Sequence, residues 1–221
     1  MRLTTIIGLC ILILFFIVSC NDREANQNQI VTEDNDTVEV IFGDQQISLT
    51  ANNYKDLTEE AIELYEEETS LFKPNRTEIQ KWFIRYYIQM HEYNENVTNE
   101  ELFQLAEERY EYEEAWKEYA SEAYSVTVSD EAVESQANYN LDIYTSNLPP
   151  SIKGMSSGLD LSVEEFMVEF DRDHVERSVI WQQLMPKLLE KHQSEEAQTL
   201  DGVYLGQLYE EEVLEYLEEN T

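Results

Sequence analysis

The sequence predicts a mostly α-helical protein: an antiparallel helical bundle of four to five helices with a small N-terminal β-hairpin. From residue 57 onward, apolar residues recur at spacings of three and four, the period of a helix with one buried face. Three stretches begin with Ser or Thr followed three positions later by Glu or Gln, the pattern of a capping box at a helix start. Hydrophobic residues make up 42% of the 221 residues, which permits a buried core.

The hairpin is predicted from an alternation of apolar and polar residues between Thr37 and Leu49, on both sides of a turn at Gly43-Asp44. This period of two is typical of strands with one buried face. The alternating residues are Val38, Val40 and Phe42 before the turn and Ile47 and Leu49 after it.

Three apolar stripes predict the first three helices. They cover residues 57–72, 79–90 and 102–119. Thr77 to Gln80 and Thr98 to Glu101 have the capping-box pattern, so the second and third helices are expected to begin there. A fourth stripe over residues 133–144 predicts the next helix.

The fourth helix has Ser129 as its predicted cap, and Pro149-Pro150 should stop the chain from continuing it. Residues 151–158, which hold two of the six glycines, are expected to form an exposed loop.

The last part of the chain is predicted to be helical as well. Ser162 to Glu165 forms a capping box that starts the longest helix, which runs to about His192 and which Pro186 should kink or divide. After a polar stretch, residues 201–208 favour a short strand or loop, and residues 210–219 favour an acidic amphipathic helix.

The first residues predict a lipoprotein signal. Residues 6–18 form an almost unbroken apolar run, shorter than the roughly 20 residues of a spanning helix and typical of a secretory signal. Ile17, Ser19 and Cys20 match a lipobox, with an aliphatic residue, then a small residue, then the cysteine that would carry the lipid. An ordinary signal or a single N-terminal membrane anchor is the alternative.

This signal implies a protein anchored to the cell membrane through acylated Cys20, on the extracytoplasmic face. Cys10 would leave with the signal, so the mature chain would have neither a disulfide nor a thiol nucleophile. The expected organisation is a signal peptide at 1–19, a lipidated polar tether at 20–36, a helical domain at 37–192 and an acidic C-terminal segment with a short helix at 193–221.

The charge of the chain is strongly negative. It contains 14 Lys and Arg against 47 Asp and Glu, a formal net charge of −33. Such a field repels nucleic acid, so no nucleic-acid partner is expected. Solvated helix faces account for most of the acidic residues. The distribution of charge along the sequence does not determine an oligomeric state.

No set of residues has the spacing of a catalytic or metal site, and HExxH, GxSxG and glycine-rich phosphate loops are missing from the sequence. Asp171 and His174 share a helix face and could bind a metal ion weakly, but a salt-bridge cluster with Arg172, Glu176 and Arg177 is the commoner outcome. We expect no cofactor, no metal and no enzymatic activity. A hydrolase using unmarked carboxylates is the least favoured hypothesis.

Aromatic side chains are the remaining feature that could form a binding surface. Core packing is their commoner role. The functional alternative is an apolar groove for extended or unfolded polypeptide. The candidates are Trp82, Phe83, Tyr86, Tyr87, Trp116 and Trp181.

Three segments resemble the N-terminal chaperone module of the SurA and PrsA type foldases. Val128–Val133 (VSDEAV) is similar to a recurrent V-S/T-D-E-E-V helix start of that family, and Gly158–Phe166 (GLDLSVEEF) to its L-G-L-S/T-E-E-E-F/Y helix start. Gly43–Ile47 (GDQQI) is similar to the N-G-x-x-I turn at the front of the module, with Phe42 in place of the Asn. The resemblance covers roughly residues 37–192.

The resemblance implies an extracytoplasmic helical domain that binds non-native polypeptide. The glycine-rich parvulin prolyl isomerase domain of these foldases finds no counterpart in this sequence, so isomerase activity is not implied. We therefore expect a chaperone-like lipoprotein. A structural or adaptor lipoprotein that binds one specific cell-envelope protein is the alternative.

Overall fold

The computed structural model describes residues 37–42, 45–72, 76–144, 147–192 and 201–220. These ranges are mostly helical with one two-stranded antiparallel sheet at the N-terminal end, which confirms the predicted mostly α-helical class and its small N-terminal β element. None of the helices in these ranges combines the length and apolarity needed to cross a membrane. The predicted signal, Cys20 and the tether lie outside the described residues.

In chain order the described elements are β1 (Thr37–Phe42), β2 (Gln45–Thr50), α1 (Ala51–Phe72), α2 (Thr77–Glu92), α3 (Asn99–Tyr124), α4 (Asp130–Tyr144), α5 (Pro150–Gly158), α6 (Val163–Glu165), a π-helical segment (Phe166–Phe170), α7 (Arg172–His192) and α8 (Gly202–Asn220).

The predicted hairpin is confirmed. β1 and β2 pair antiparallel, with Val38 opposite Leu49 and Val40 opposite Ile47. Val38 and Leu49 pack against a buried cluster built mainly by α1, α2, α4 and the π-helical segment. The register therefore follows the alternation of apolar residues, because a slip by one residue would turn them away from this cluster. The predicted turn between the strands lies outside the described residues.

Two of the three predicted capping boxes are present. The hydroxyls of Thr98 and Ser162 each accept an N–H three residues later, and the Glu at that position accepts the cap's own N–H. The box predicted at Thr77 is wrong, because Arg76 is the N-cap and its side chain makes no cap hydrogen bond. The Tyr65 hydroxyl holds the Arg76 backbone instead, 3.0 Å from its carbonyl oxygen and 3.3 Å from its nitrogen. A tertiary contact thus sets this helix start.

Residues 151–158 form most of α5, so the exposed loop predicted there is wrong. Pro150 occupies the first helical position, where the missing N–H has no intrahelical partner to lose. Gly154 is buried against α1, and a Cβ built on it would lie 2.3 Å from the carbonyl oxygen of Ala51 and 2.4 Å from Tyr54 Cβ. Glycine serves here for a close approach of two helix backbones.

The helix predicted from Ser162 to His192 is divided near its start and not at Pro186. The wider turn of the π-helical segment carries Phe166 and Phe170 into the core, where both are buried. After this segment, α7 continues through Pro186 to His192. The described ranges contain eight helices where a bundle of four or five and a short C-terminal helix were predicted, because α5 and the division of the long helix each add one.

The C-terminal helix is longer than predicted, and it is docked on the rest of the molecule. The strand or loop predicted for residues 201–208 is wrong, since α8 begins at Gly202. Asp201 caps it by accepting the Tyr204 N–H at 2.8 Å. Tyr209 is buried against α3 and α7. The boundary drawn at residue 192 stays a prediction.

Neighbouring helices run in both relative directions. Tyr54 near the start of α1 donates a 2.7 Å hydrogen bond to Glu92 at the end of α2, so these two helices are antiparallel. By contrast, α3 and α8 run in the same direction, because Arg177 binds Glu113 and Glu210 near one end of the contact and Glu122 accepts a hydrogen bond from Tyr216 farther along both helices, with ring pairs between them. The paired rings are Trp116 with Tyr209 and Tyr119 with Tyr216.

Candidate functional site

A cleft of about 210 Å³ opens between the beginning of α2, the connection from α5 to α6, and the π-helical segment. We call it the α2 cleft. Its floor is apolar, since Ile84 and Phe170 are almost wholly buried, and the half-buried Leu159 and Leu161 form its walls. The rest of the lining is polar or charged and consists of Thr77, Gln80, Lys81 and Glu169.

The walls of the cleft come from a short reversal of the chain after α5. Asp160 takes the left-handed conformation with φ 56°, which places Leu159 and Leu161 on either side of the bend. The Leu161 N–H donates to the Ser156 carbonyl at 2.9 Å, which closes the turn. The capping box at Ser162 then starts α6 directly. Local hydrogen bonds therefore fix both leucines.

The π-helical segment supplies the opposite wall. The Asp171 N–H donates to the Phe166 carbonyl at 2.8 Å, a bond that spans five residues. The carbonyl of Glu169, which lies within the segment, instead accepts a 2.7 Å hydrogen bond from Lys81 Nζ on α2. This contact joins the two sides of the cleft and engages the only cationic side chain in its lining.

The floor is held from below by Arg85, one turn beyond Lys81 on α2. Its two terminal nitrogens bind the two carboxylate oxygens of Asp173 at 2.5 and 2.8 Å, and one of them also donates to the Phe170 carbonyl at 3.0 Å. Burial alone would raise the pKa of Asp173, but hydrogen bonding and attraction by Arg85 outweigh it and lower the pKa to about 2. A bidentate, charge-assisted pair thus fixes the position of Phe170.

Trp82 was a predicted contact residue, and the structure places it in the interior. Its ring lies beneath two guanidinium groups, those of Arg85 at 4.4 Å and Arg109 at 4.9 Å from a ring centroid. The His174 ring lies nearly perpendicular to it with 5.8 Å between the ring centroids, and only 8% of Trp82 is exposed. Trp82 therefore packs against charged side chains of the protein itself.

Of the other five aromatic candidates, three share one buried cluster with Trp82 and two belong to another, so the six do not line a single groove. Phe83 is fully buried beside Trp82, and Tyr86 and Tyr87 are half-buried around them. Trp116 and Trp181 belong to a separate cluster beneath α8. This placement matches the core-packing alternative, and polypeptide binding by these six side chains stays a prediction.

Asp171 and His174 form the local pair that the sequence suggested, with Asp171 Oδ1 2.8 Å from His174 Nδ1. Arg172 binds Glu176 at 2.8 Å, as in the predicted salt-bridge cluster. Arg177 departs from it by reaching across to α3. Within the described ranges, no group of three or more His, Cys, Asp or Glu side chains is placed to hold a metal ion.

The partner of Arg177 is Glu113, an almost fully buried carboxylate on α3. Arg177 Nη1 lies 2.9 Å from both of its oxygens, and Arg109 binds it from the same helix at 2.5 Å. The guanidinium of Arg177 also covers the Trp116 ring at 4.2 Å. Glu113, Arg109 and Arg177 therefore each have an opposite charge as partner, while Arg109 Nε is buried without a hydrogen bond.

The cleft residues were not identified from the sequence. Leu159 and Leu161 lie between the loop predicted for residues 151–158 and the capping box at Ser162, and no pattern there marks them as cleft walls. A continuous helix was predicted through Phe170, so no signal marked Phe170 as part of a π-helical segment that lines a cleft. The pair of glycines in α5 was the available signal, since glycines one helical turn apart indicate close packing of a short helix.

Comparison with known proteins identifies no relative: no protein-family model, no curated protein and no solved structure matches this chain. The resemblance to the SurA and PrsA type module therefore stays a prediction that rests on the three segments quoted above.

Proposed function

We propose that this protein is an extracytoplasmic lipoprotein, anchored to the membrane through acylated Cys20, whose helical domain binds non-native polypeptide without catalysing a reaction. The α2 cleft is the observation that carries this proposal. Its 210 Å³ are below the range of about 300–1,000 Å³ typical of small-molecule sites, and fit a single side chain. An apolar floor with a polar rim suits a side chain that projects from a polypeptide backbone.

The scaffold we propose for this function is an antiparallel bundle of four to five long helices. Support comes from the antiparallel contact of α1 with α2. The parallel contact of α3 with α8 indicates that α8 is an addition to such a bundle.

Binding would be passive. An extended client segment places one apolar side chain over Ile84 and Phe170, where both surfaces lose contact with water. Its backbone polar groups meet Gln80 and Thr77 at the rim. Because the chain has a net charge of −33, repulsion between complexes would keep them from associating with one another.

A dedicated envelope-protein partner is the second candidate, and the rigidity of the cleft favours it. The Arg85–Asp173 pair fixes Phe170, and the Asp160 turn fixes Leu159 and Leu161. A site that is small and fixed selects one well-fitting side chain, whereas tolerance of many clients favours an adaptable surface.

The full lipidated chain, held in nanodiscs of zwitterionic lipid, provides the test. A chemically denatured client is diluted beside it and its aggregation is followed by light scattering. We expect suppression of aggregation at near-equimolar ratio. Thr77→Trp should abolish it, because Thr77 is exposed at the edge of the cleft and an indole there would fill the opening.

The matched control is Asn99→Trp, which puts the same indole at the first helical position of α3, outside the cleft lining. It should suppress aggregation as well as the unaltered protein does. If several unrelated clients aggregate unhindered at both low and high salt, general client binding is wrong and the dedicated partner becomes the better proposal.

A further inference from the structure

We propose that the α2 cleft selects polypeptide segments in which one apolar side chain is flanked by Lys or Arg. This inference rests on the proposed function and names the class of segment that the cleft binds. It combines the apolar floor with the distribution of charge around the rim.

One carboxylate lines the cleft, and two more lie on residues that adjoin its lining in the sequence. Glu169 lines the cleft, Glu78 follows Thr77 at the start of α2, and Asp160 projects from the turn between the two leucine walls. All three are exposed, and none of their carboxylates takes part in an ion pair within the described ranges. A bound cationic side chain would give these carboxylates an ion pair that the described residues do not provide.

The cations near the cleft are committed to other contacts. Lys81 donates to the Glu169 carbonyl, and Arg85 is held by Asp173 beneath the floor. Arg76, just before α2, turns its guanidinium over the Tyr110 ring at 4.8 Å from the centroid. A hydrogen bond to a carbonyl leaves the charge of Lys81 in place, so the lining itself carries one positive and one negative side chain. The exposed carboxylates of Glu78 and Asp160 next to the lining, and the net charge of −33, make the surroundings of the cleft negative to an approaching segment.

The apolar floor and the charge around the rim select for different residues of the same bound segment. The floor of Ile84 and Phe170 gains from burying an apolar side chain and would be left with an unpaired charge if a Lys or Arg entered it. The carboxylates at the rim attract cationic neighbours and repel acidic ones. A segment that alternates basic and apolar residues meets both conditions, whereas a purely apolar or purely basic segment meets one.

The test uses three short fluorescent peptides with one backbone length and the full chain in zwitterionic nanodiscs. The first carries Lys-Leu-Lys at its centre, the second Gln-Leu-Gln and the third Lys-Ala-Lys. Fluorescence anisotropy gives each dissociation constant at about 0.05 M and about 0.5 M salt. We expect the first peptide to bind most tightly at low salt and to approach the second at high salt.

Glu169→Gln isolates the contribution of the rim. It should weaken the Lys-Leu-Lys peptide about two- to fivefold, the range of an exposed ion pair, and leave the Gln-Leu-Gln peptide unchanged. Glu134→Gln removes the same charge from an exposed position of α4 outside the cleft lining, so it should alter neither.

The outcomes distinguish a failure of the charge selection from a failure of the proposed polypeptide binding. Equal binding of the Lys-Leu-Lys and Gln-Leu-Gln peptides at low salt would overturn the charge selection and leave polypeptide binding intact. Equal binding of the Lys-Leu-Lys and Lys-Ala-Lys peptides would show that diffuse electrostatic attraction holds the peptides and that the cleft does not bind the central side chain. If none of the three binds, the proposed function itself fails.

Discussion

Helices α5 and α8 are attached to the rest of the molecule by opposite means. α5 lies on α1 backbone against backbone: a Cβ on Gly154 would come within 2.3 Å of a carbonyl oxygen, and one on Gly158 within 2.7 Å of Thr58 Cβ. α8 lies on α3 and α7 through large side chains. Tyr209, for example, is fully buried and donates a 2.7 Å hydrogen bond to the Trp116 carbonyl.

The contacts of α5 and α8 also differ in their use of charged side chains. The contact of α8 centres on Glu212, whose carboxylate accepts hydrogen bonds from Tyr119 at 3.0 Å, Tyr124 at 2.5 Å and Lys191 at 2.6 Å. The contact of α5 depends on the absence of side chains at two positions. We infer that the α5 contact is sensitive to added volume and that the α8 contact is sensitive to lost charge, so substitutions can distinguish the two.

The largest expected effect is that of Gly154→Ala. The added methyl group collides with the backbone of Ala51 and with Lys55 N at 2.9 Å, and neither can move without separating α5 from α1. We expect the free energy of unfolding to fall by about 2–3 kcal/mol, as for an overpacked core. Urea unfolding followed by circular dichroism measures this. An unchanged midpoint would mean that α5 is not held against α1 in solution.

A smaller effect is expected from Glu212→Gln, which keeps the shape of the side chain and removes its charge. Lys191 then loses its charged partner, and the free energy of unfolding should fall by about 1–2 kcal/mol at neutral pH. Glu211→Gln is the matched control, because that neighbour is exposed and makes none of these bonds. A loss of equal size in both variants would assign the effect to net charge and not to the Glu212 contacts.

The same variant carries a pH signature. Burial by itself would raise the pKa of Glu212, but hydrogen bonds from Lys191, Tyr124 and Tyr119 outweigh it and lower the pKa below its usual value. The ionised carboxylate therefore stabilises the fold above the unfolded pKa of about 4.3, and this contribution is lost as the pH falls through the lower folded pKa. The stability difference between the unaltered protein and Glu212→Gln should shrink below about pH 4.3. Unfolding curves across this range check it.

The two attachments also show which parts of the structure a sequence can predict. The capping boxes at Thr98 and Ser162 and the cap at Ser129 were predicted because each depends on residues within one turn. The role of Gly154 depends on α1, about a hundred positions earlier in the chain. A glycine-containing stretch has the same local pattern whether it forms a loop or packs against another helix.

The start of α8 was missed for a related reason. Val203 and Tyr204, flanked by Gly202 and Gly206, have the composition of a strand end. The helix is selected by the Asp201 cap together with burial of Leu205 and Tyr209 against α3 and α7. The α2 cleft was beyond prediction on the same ground. Its lining joins the start of α2 to residues between Leu159 and Phe170, which lie far along the chain, and no local pattern marks their meeting.

The smallest effect is expected when the same glycine-to-alanine change is made in α8 at a position with free space, which tests the comparison between α5 and α8. A Cβ on Gly202, the first residue of α8, would meet nothing within 4 Å. Gly202→Ala should therefore raise the free energy of unfolding by about 0.5 kcal/mol, because alanine loses less backbone freedom on folding. Measured beside Gly154→Ala under the same urea conditions, the identical change should have opposite signs in α8 and α5. A loss of stability in both would show that helix α8 tolerates added volume no better than α5, and the distinction between volume and charge would not hold.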